Sequence, residues 1–287
     1  MNVHIDCFPC FLKQTLIAAR LGTDDLQLQE RIIKGVLDEI GATDMGRPPA
    51  YSTTFLHRKI RSILGKDPFK ENKSEYNRKA LDLYPALKEM VRDAKDPLWT
   101  ASRLAIAGNI IDFGIYSSVD IEGAVQRALE TPLAVDDYAE LRGSLDDCDE
   151  VLYLLDNAGE IVFDRILIEQ LRALGIKVRA VAKGMPVLND ATLYDAEEIG
   201  LTGVCEVIDN GSDCIGTILD MTPERFRKEF ENARIIISKG QGNFETLYTT
   251  GGPASNSGKI FFLLQSKCEV VSRELGHEKG AMLLMAG

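Results

Sequence analysis

From about residue 145 the chain falls into a repeating rhythm. A short apolar run is closed by small or polar residues and followed by an amphipathic helical stretch. The clearest instance is Val151–Asp164, VLYLLDNAGEIVFD. A continuous apolar run of this length, bounded by a turn, is the signature of a strand buried on both faces. The spacing predicts strands at Val151–Leu155, Lys177–Ala182, Val204–Ile208, Arg234–Ser238, Lys259–Leu264 and Glu269–Val271. Between them it predicts helices at Ile161–Leu174, Asp190–Ile199, Thr222–Asn232 and Asn243–Tyr248. Such alternation requires a mostly parallel sheet with helices on both faces, a three-layer α/β/α arrangement.

The first hundred residues follow a different period. Apolar residues recur at helical spacing in Phe11–Ala19, Ile32–Ile40, Thr53–Leu64 and Asn72–Ala94. β-branched alternation is absent there, so no strand is expected before residue 100. The expected organisation is an all-helical N-terminal domain (1–100) before an α/β/α domain (101–287).

Composition limits the function. Hydrophobic residues make up 45% and charged residues 27%, as in an ordinary globular protein. No apolar run reaches the length of a membrane span, and the N-terminus lacks a signal-peptide pattern, so a cytoplasmic protein is expected. The formal net charge is −11, with the acidic excess after residue 100. That argues against a nucleic-acid partner, whose phosphates demand Lys and Arg. Divalent cations remain compatible. The six cysteines of a long chain with no secretory signal are read as reduced thiols.

Parallel strands place the loops after their carboxyl ends on one edge, where ligands of open α/β sheets bind. Three loops collect polar residues there. Asp156-Asn157 follows the first strand, Lys183 to Asp190 the second, and Lys239-Gly240-Gln241-Gly242-Asn243-Phe244-Glu245 the strand at 234–238. Asp156-Asn157 alone reads equally as a turn with a helix cap. Taken with Asp190, these residues can supply three hard oxygen ligands to Mg²⁺ or Mn²⁺ and leave positions for water and substrate. Lys239 beside Gly240 and Gly242 can hold a phosphate, as can Lys183. Glu160 and Glu245 are candidates for orienting a nucleophilic water or supporting the ligands. Gly251 to Asn256 forms a polar rim that can act as a lid. Asn109 and Asp112 share a face if their turn is helical; a helix C-cap is the simpler reading. There is no Walker loop, no GxGxxG and no nucleophile elbow, and His4, His57 and His277 are scattered.

These segments together resemble the DUF89 proteins, the damage-control phosphatase or ARMT1-like family. The resemblance is carried by Asp156-Asn157-Ala158-Gly159-Glu160 with Phe163-Asp164, by Gly108-Asn109-Ile110-Ile111-Asp112, by Asn189-Asp190, and by Lys239 to Glu245. Cys7-Phe8-Pro9-Cys10 is similar to the early CxxC of a small prokaryotic branch. The resemblance implies a helical N-terminal part beside an α/β/α domain. It implies a divalent metal (Mn²⁺, Co²⁺, Ni²⁺ or Mg²⁺) on Asp156, Asn157 and Asp190, and Lys239 on the phosphate. It further implies hydrolysis of small phosphate esters such as sugar phosphates or damaged phosphometabolites, with Asn109 and Asp112 on the substrate side. The Arg-Thr-x-Lys signature of larger eukaryotic relatives is not seen; Ser238-Lys239-Gly240-Gln241 stands instead. Asp156 is read as a ligand first, with an aspartyl-phosphate nucleophile as the other role. Cys7 and Cys10 read as half of a second metal site, a redox pair or two packed thiols. The rival function is a metal- or nucleotide-binding protein, or a carboxyl methyltransferase, using the same acidic pocket.

Overall fold

The structure is a computed structural model, and it describes residues 1–110, 121–249, 252–253 and 258–287. It opens with five helices: α1 (Cys7–Gly22), α2 (Leu26–Gly41), α3 (Pro49–Leu64), α4 (Lys70–Arg92) and α5 (Pro97–Ile110). Local chemistry sets their ends. The Asp25 carboxylate accepts the Gln27 N–H (2.9 Å) to start α2, Pro49 opens α3, and Gly65 closes α3 in the left-handed region. No strand precedes residue 111 among the described residues, as the spacing predicts.

After α6 (Ile121–Glu130) come β1 (Val135–Asp136), α7 (Tyr138–Leu145), β2 (Glu150–Leu154), α8 (Glu160–Ala173), β3 (Lys177–Ala182), α9 (Leu193–Glu198) and β4 (Glu206–Asp209). Then follow α10 (Glu224–Asn232), β5 (Ile235–Lys239), α11 (Gly240–Leu247), a small ribbon of β6 (Tyr248–Thr249) and β7 (Gly252–Pro253), β8 (Lys259–Gln265), α12 (Glu269–Leu275) and β9 (Met282–Ala286). The main sheet runs β1-β9-β8-β5-β2-β3-β4. All neighbours are parallel except β8 and β9.

Strand alternation explains the three layers. Val151, Tyr153, Ile235, Ile237, Phe261 and Leu263 point to one face, against α4, α5 and α8. Leu152, Leu154, Ile236, Phe262 and Leu264 point to the other, where they meet Phe226 and Phe230 of α10 and Phe244 of α11. The expected α/β/α architecture is therefore the observed one. No helix among the described residues is long and apolar enough to cross a membrane.

Two expectations are corrected at the C-terminus. Glu269–Val271 is helical, not a strand: the Cys268 thiol caps α12 by accepting the Val271 N–H (3.5 Å), and the Val270-Val271 pair misled the period. The last strand is instead Met282–Ala286, whose MLLMA sequence has no β-branched residue to announce it. Within the N-terminal part the apolar clusters divide after α3. Phe11, Ala18, Ile32, Val36, Leu56 and Ile60 form one cluster across α1–α3. Ala80, Leu87 and Val91 of α4 instead join the sheet-face cluster with Leu104 and Phe163.

The chain leaves β2 toward β3 and β4, and leaves β5 toward β8 on the opposite side. The order thus reverses between β2 and β5, which are hydrogen-bonded neighbours. A crevice opens beyond the carboxyl ends at such a switch point.

Candidate active site at the switch point

Two loops meet in that crevice and are joined by main-chain hydrogen bonds. The Ala191 N–H donates to the Asp156 carbonyl (2.7 Å), Ala158 N–H to the Asn189 carbonyl (2.8 Å) and Lys183 N–H to the Ala191 carbonyl (2.9 Å). Asn157 and Asp190 pair as an isolated antiparallel bridge. This pairing brings Asp156, Asn157 and Asp190 together, as expected from the sequence. It also delays α9, because residues 190–192 are held by the bridges instead of a helical turn. From the other side of the switch point, Gly240 passes close to Asp156. Its φ is +78°, and a Cβ at this position would lie 1.9 Å from Asp156 Oδ2. Only glycine satisfies both conditions. Behind the loops, Asn77 of α4 accepts the Gly159 N–H (2.7 Å) just before α8.

The donors fit a hard divalent cation. Asp156, Glu160 and Asp190 are all buried. Burial, then Glu160 and Asp190, push the Asp156 carboxyl well above its ordinary range. Burial also raises Asp190, against the opposing charge of Lys183. Asp190 Oδ2 has no hydrogen-bond partner and lies 3.5 Å from Lys183 Nζ. Asn157 Nδ2 donates to Asp156 Oδ2 (2.7 Å) and Glu160 Oε2 (3.1 Å), which fixes the orientation of its amide. Among the described residues no three His, Cys, Asp or Glu side chains form a ready metal cage. Two carboxylates and an amide instead make a partial oxygen shell, of the kind Mg²⁺-like ions complete with water and substrate.

Lys239 is not where a phosphate-binding lysine must be. It shares a strand face with Ile235 and Ile237, so its side chain runs beneath α5 and α8. There it is fully buried, and Nζ donates to Ala105 O (2.8 Å), Glu160 Oε1 (2.6 Å) and Asp164 Oδ1 (2.7 Å). Three donors meet three acceptors, and none is left for substrate. Burial alone would lower this ammonium, but Asp164 and Glu160 together hold it above its ordinary value. Asp164, which also accepts the Tyr153 hydroxyl (2.8 Å), is raised to about 7 by burial despite Lys239. Lys183 is likewise occupied, with its ammonium bonded to the Gly216 carbonyl and facing Asp190.

A cavity of about 840 Å³ lies over these groups. Asp156, Asn157, Glu160, Asp190, Gly242 and Glu245 line it. Burial pushes the Glu245 carboxyl up to about 7, although Gln241 Nε2 donates to it (2.8 Å). Cys7 and Cys10 of α1 reach the same cavity, where the structure adds Cys268. All three are free thiols, and burial raises Cys7 and Cys10, which keeps them protonated. Lys267, missed in the sequence, follows β8 at the same sheet edge and lines the cavity. Its N–H is held by Gln241 Oε1 (2.8 Å), and its charge counters the rise at Asp156. Extending the strand-end rule to Lys259–Leu264 would have found it. Asn109 lies near the end of α5, with its side chain outside the described residues; Asp112 and most of the rim at 251–256 also lie outside them. Gly108 is where α5 meets α8: a Cβ there would lie 2.9 Å from Phe163.

The fold and site define a doubly wound α/β protein with an acidic, cation-ready crevice at its switch point. Its whole length is matched in known proteins. The chain belongs to the family described as the damage-control phosphatase ARMT1-like domain, which matches residues 3–283. It is 35% identical to a damage-control phosphatase of Pyrococcus horikoshii, covering 99% of this chain and 98% of that one. It is 34% identical to a damage-control phosphatase of Archaeoglobus fulgidus, with 99% and 98% covered. The crystal structure of a DUF89 family protein from P. horikoshii superimposes with a TM-score of 0.88 at 34% identity, over 99% of both chains.

Proposed function

We propose that this chain is a divalent-metal-dependent phosphomonoesterase acting on small phosphorylated metabolites in the cytoplasm. The observation that carries the reading is the joining of Asp156, Asn157 and Asp190 at the switch point, under a cavity that also holds Lys267. Asp156, Asn157 and Asp190 would hold Mn²⁺, Co²⁺, Ni²⁺ or Mg²⁺. When bound, the ion neutralises phosphoryl charge and polarises its oxygens. Lys267 takes the phosphate-binding role expected of Lys239. Glu245, whose carboxyl is raised to about 7 at the cavity wall, can accept the proton of the attacking water near neutral pH. Asp156 serves as a ligand: its carboxylate is enclosed by Gly240 and Asn157 and is poorly placed for in-line attack. Glu160 and Lys239 position Asn157 from below.

The test is turnover of p-nitrophenyl phosphate by metal-stripped protein resupplied with each ion in turn. Activity restored by at least one ion and abolished in Asp156→Ala is the expected result. Ion uptake with thermal stabilisation but no turnover across a phosphate-ester panel would instead mark a binding protein.

A further inference from the structure

The loops that bring Asp156, Asn157 and Asp190 together are also tied from behind, by one side chain of α4. Asn77 is fully buried there. Its Oδ1 accepts the Gly159 N–H (2.7 Å), two residues after Asn157. Its Nδ2 donates to Asp195 Oδ1 (3.3 Å) and Glu198 Oε2 (2.6 Å) of α9, the helix that follows Asp190. Asp195 is itself buried and closes the start of α9, where its Oδ2 accepts the Thr192 N–H (2.8 Å) and hydroxyl (2.6 Å). Lys73, one turn earlier on α4, donates to the same Oδ2 (3.2 Å). Gly159 occupies the N-cap of α8. In a capping box the N-cap N–H is met by a Glu or Gln three residues on. Here that residue is Val162, so the partner has to come from outside the helix, and α4 supplies it. An amide is what the place requires, because an acceptor must face an N–H while donors face carboxylates. Aspartate would set a third carboxylate against Asp195 and Glu198, and alanine would leave the buried Gly159 N–H without its partner.

We propose that Asn77 is a positioning residue of the metal site: by tying the start of α8 to the start of α9, it fixes how Asn157 and Asp190 stand relative to one another and so sets the affinity for the ion. The inference rests on the reading of Asp156, Asn157 and Asp190 as ligands. The main-chain bonds at residues 156, 158, 189 and 191 close the loops at the crevice, and Asn77 secures the two helix starts that follow them. Outer partners that orient ligands typically change metal affinity 10–100-fold when they are replaced.

The experiment titrates Mn²⁺ by calorimetry into metal-stripped full-length parent, Asn77→Ala, Asn77→Asp and Leu87→Ala. Leu87 belongs to the apolar sheet-face cluster about three turns further along α4, so its truncation costs stability and leaves the tie intact. Both Asn77 variants should bind Mn²⁺ about 10–100-fold more weakly than the parent, and Leu87→Ala should bind as the parent does even where its Tm falls as far. Excess Mn²⁺ should recover most of the kcat that the Asn77 variants lose at limiting ion, a split that a general loss of fold does not give. If Asn77→Ala does not fold, Asn77→Asp/Asp195→Asn carries the test. It exchanges acceptor and donor across the bond and should bind Mn²⁺ more tightly than Asn77→Asp alone. Folded Asn77 variants with the parent's Kd, or a Leu87→Ala protein weakened as much as they are, would overturn the inference and leave the metal reading standing. A parent that takes up no divalent ion would remove the metal reading and this inference with it.

Discussion

Replacing Lys239 by methionine tests how the floor of the site is built. The substitution keeps an unbranched apolar chain of similar length, so it leaves little cavity. What it removes is the cation between Glu160 and Asp164, together with three hydrogen bonds. Taking one partner from a buried ion pair costs about 3–5 kcal/mol, because the remaining charge is left uncompensated. Here two carboxylates are left. Asp164, already at about 7, escapes part of the cost by taking up a proton. Glu160 must either remain charged or protonate and weaken its hold on Asn157 Nδ2. Urea unfolding followed by circular dichroism should therefore show a loss of about 3–5 kcal/mol at pH 7.5. The loss should shrink at pH 5, below the value of about 7 at which Asp164 takes up its proton. Metal affinity should fall with it. A loss below about 1 kcal/mol, or one equal at both pH values, would refute the view that Lys239 is a buried counter-ion.

Other outcomes follow from the same geometry. Gly240→Ala places a Cβ 1.9 Å from Asp156 Oδ2 at φ +78°, so metal-dependent turnover should fall at least about 100-fold, with about 1–2 kcal/mol of backbone strain visible in urea unfolding. Glu245 is held at about 7 in the fold, against 4.5 for a free carboxyl, so the folded chain keeps a proton that the unfolded chain releases between those values. Its stabilising contribution is full below about pH 4.5 and is lost as pH rises through about 7. Glu245→Gln should accordingly be up to about 3 kcal/mol more stable than the parent at pH 8, relative to their difference at pH 4, as read from denaturation at both values. Lys267→Ala should raise KM for p-nitrophenyl phosphate about tenfold or more and weaken inhibition by inorganic phosphate, both measured in steady state. Chelation should abolish turnover yet leave the circular dichroism spectrum unchanged, because Asn157 and Asp190 are already paired through the main chain.

The strands that announced themselves were those buried on both faces. Val151–Leu155, Lys177–Ala182 and Arg234–Ser238 were placed to within a residue at each end, since both faces demand carbon and the run has to be continuous. Met282–Ala286 was equally buried but carried no β-branched residue, while Val270-Val271 carried two and is helical. Asp156, Asn157 and Asp190 were legible because parallel topology puts every strand end on one edge. The inward turn of Lys239 could also have been read: Ile235, Ile237 and Lys239 share a face by simple alternation, and that face is covered by helices. The meeting of Cys268 with Cys7 and Cys10, or the positive φ of Leu188, has no local signature. The first depends on how α1 and the start of α12 pack together, and the second lies in the loop between β3 and α9; neither has a period in the sequence.

The separate apolar cluster of α1–α3 has a consequence for how such a chain can diversify. The groups at the sheet edge come from residues after 150, whereas the long wall of the cavity comes from the first helix. Substitutions along one stripe of α1 can reshape what enters while the acidic crevice, its glycine neighbour and its buried lysine stay as they are. On the proposed function, the residues that would hold the phosphate and those that line the rest of the cavity lie in different stretches of one chain and can drift at different rates.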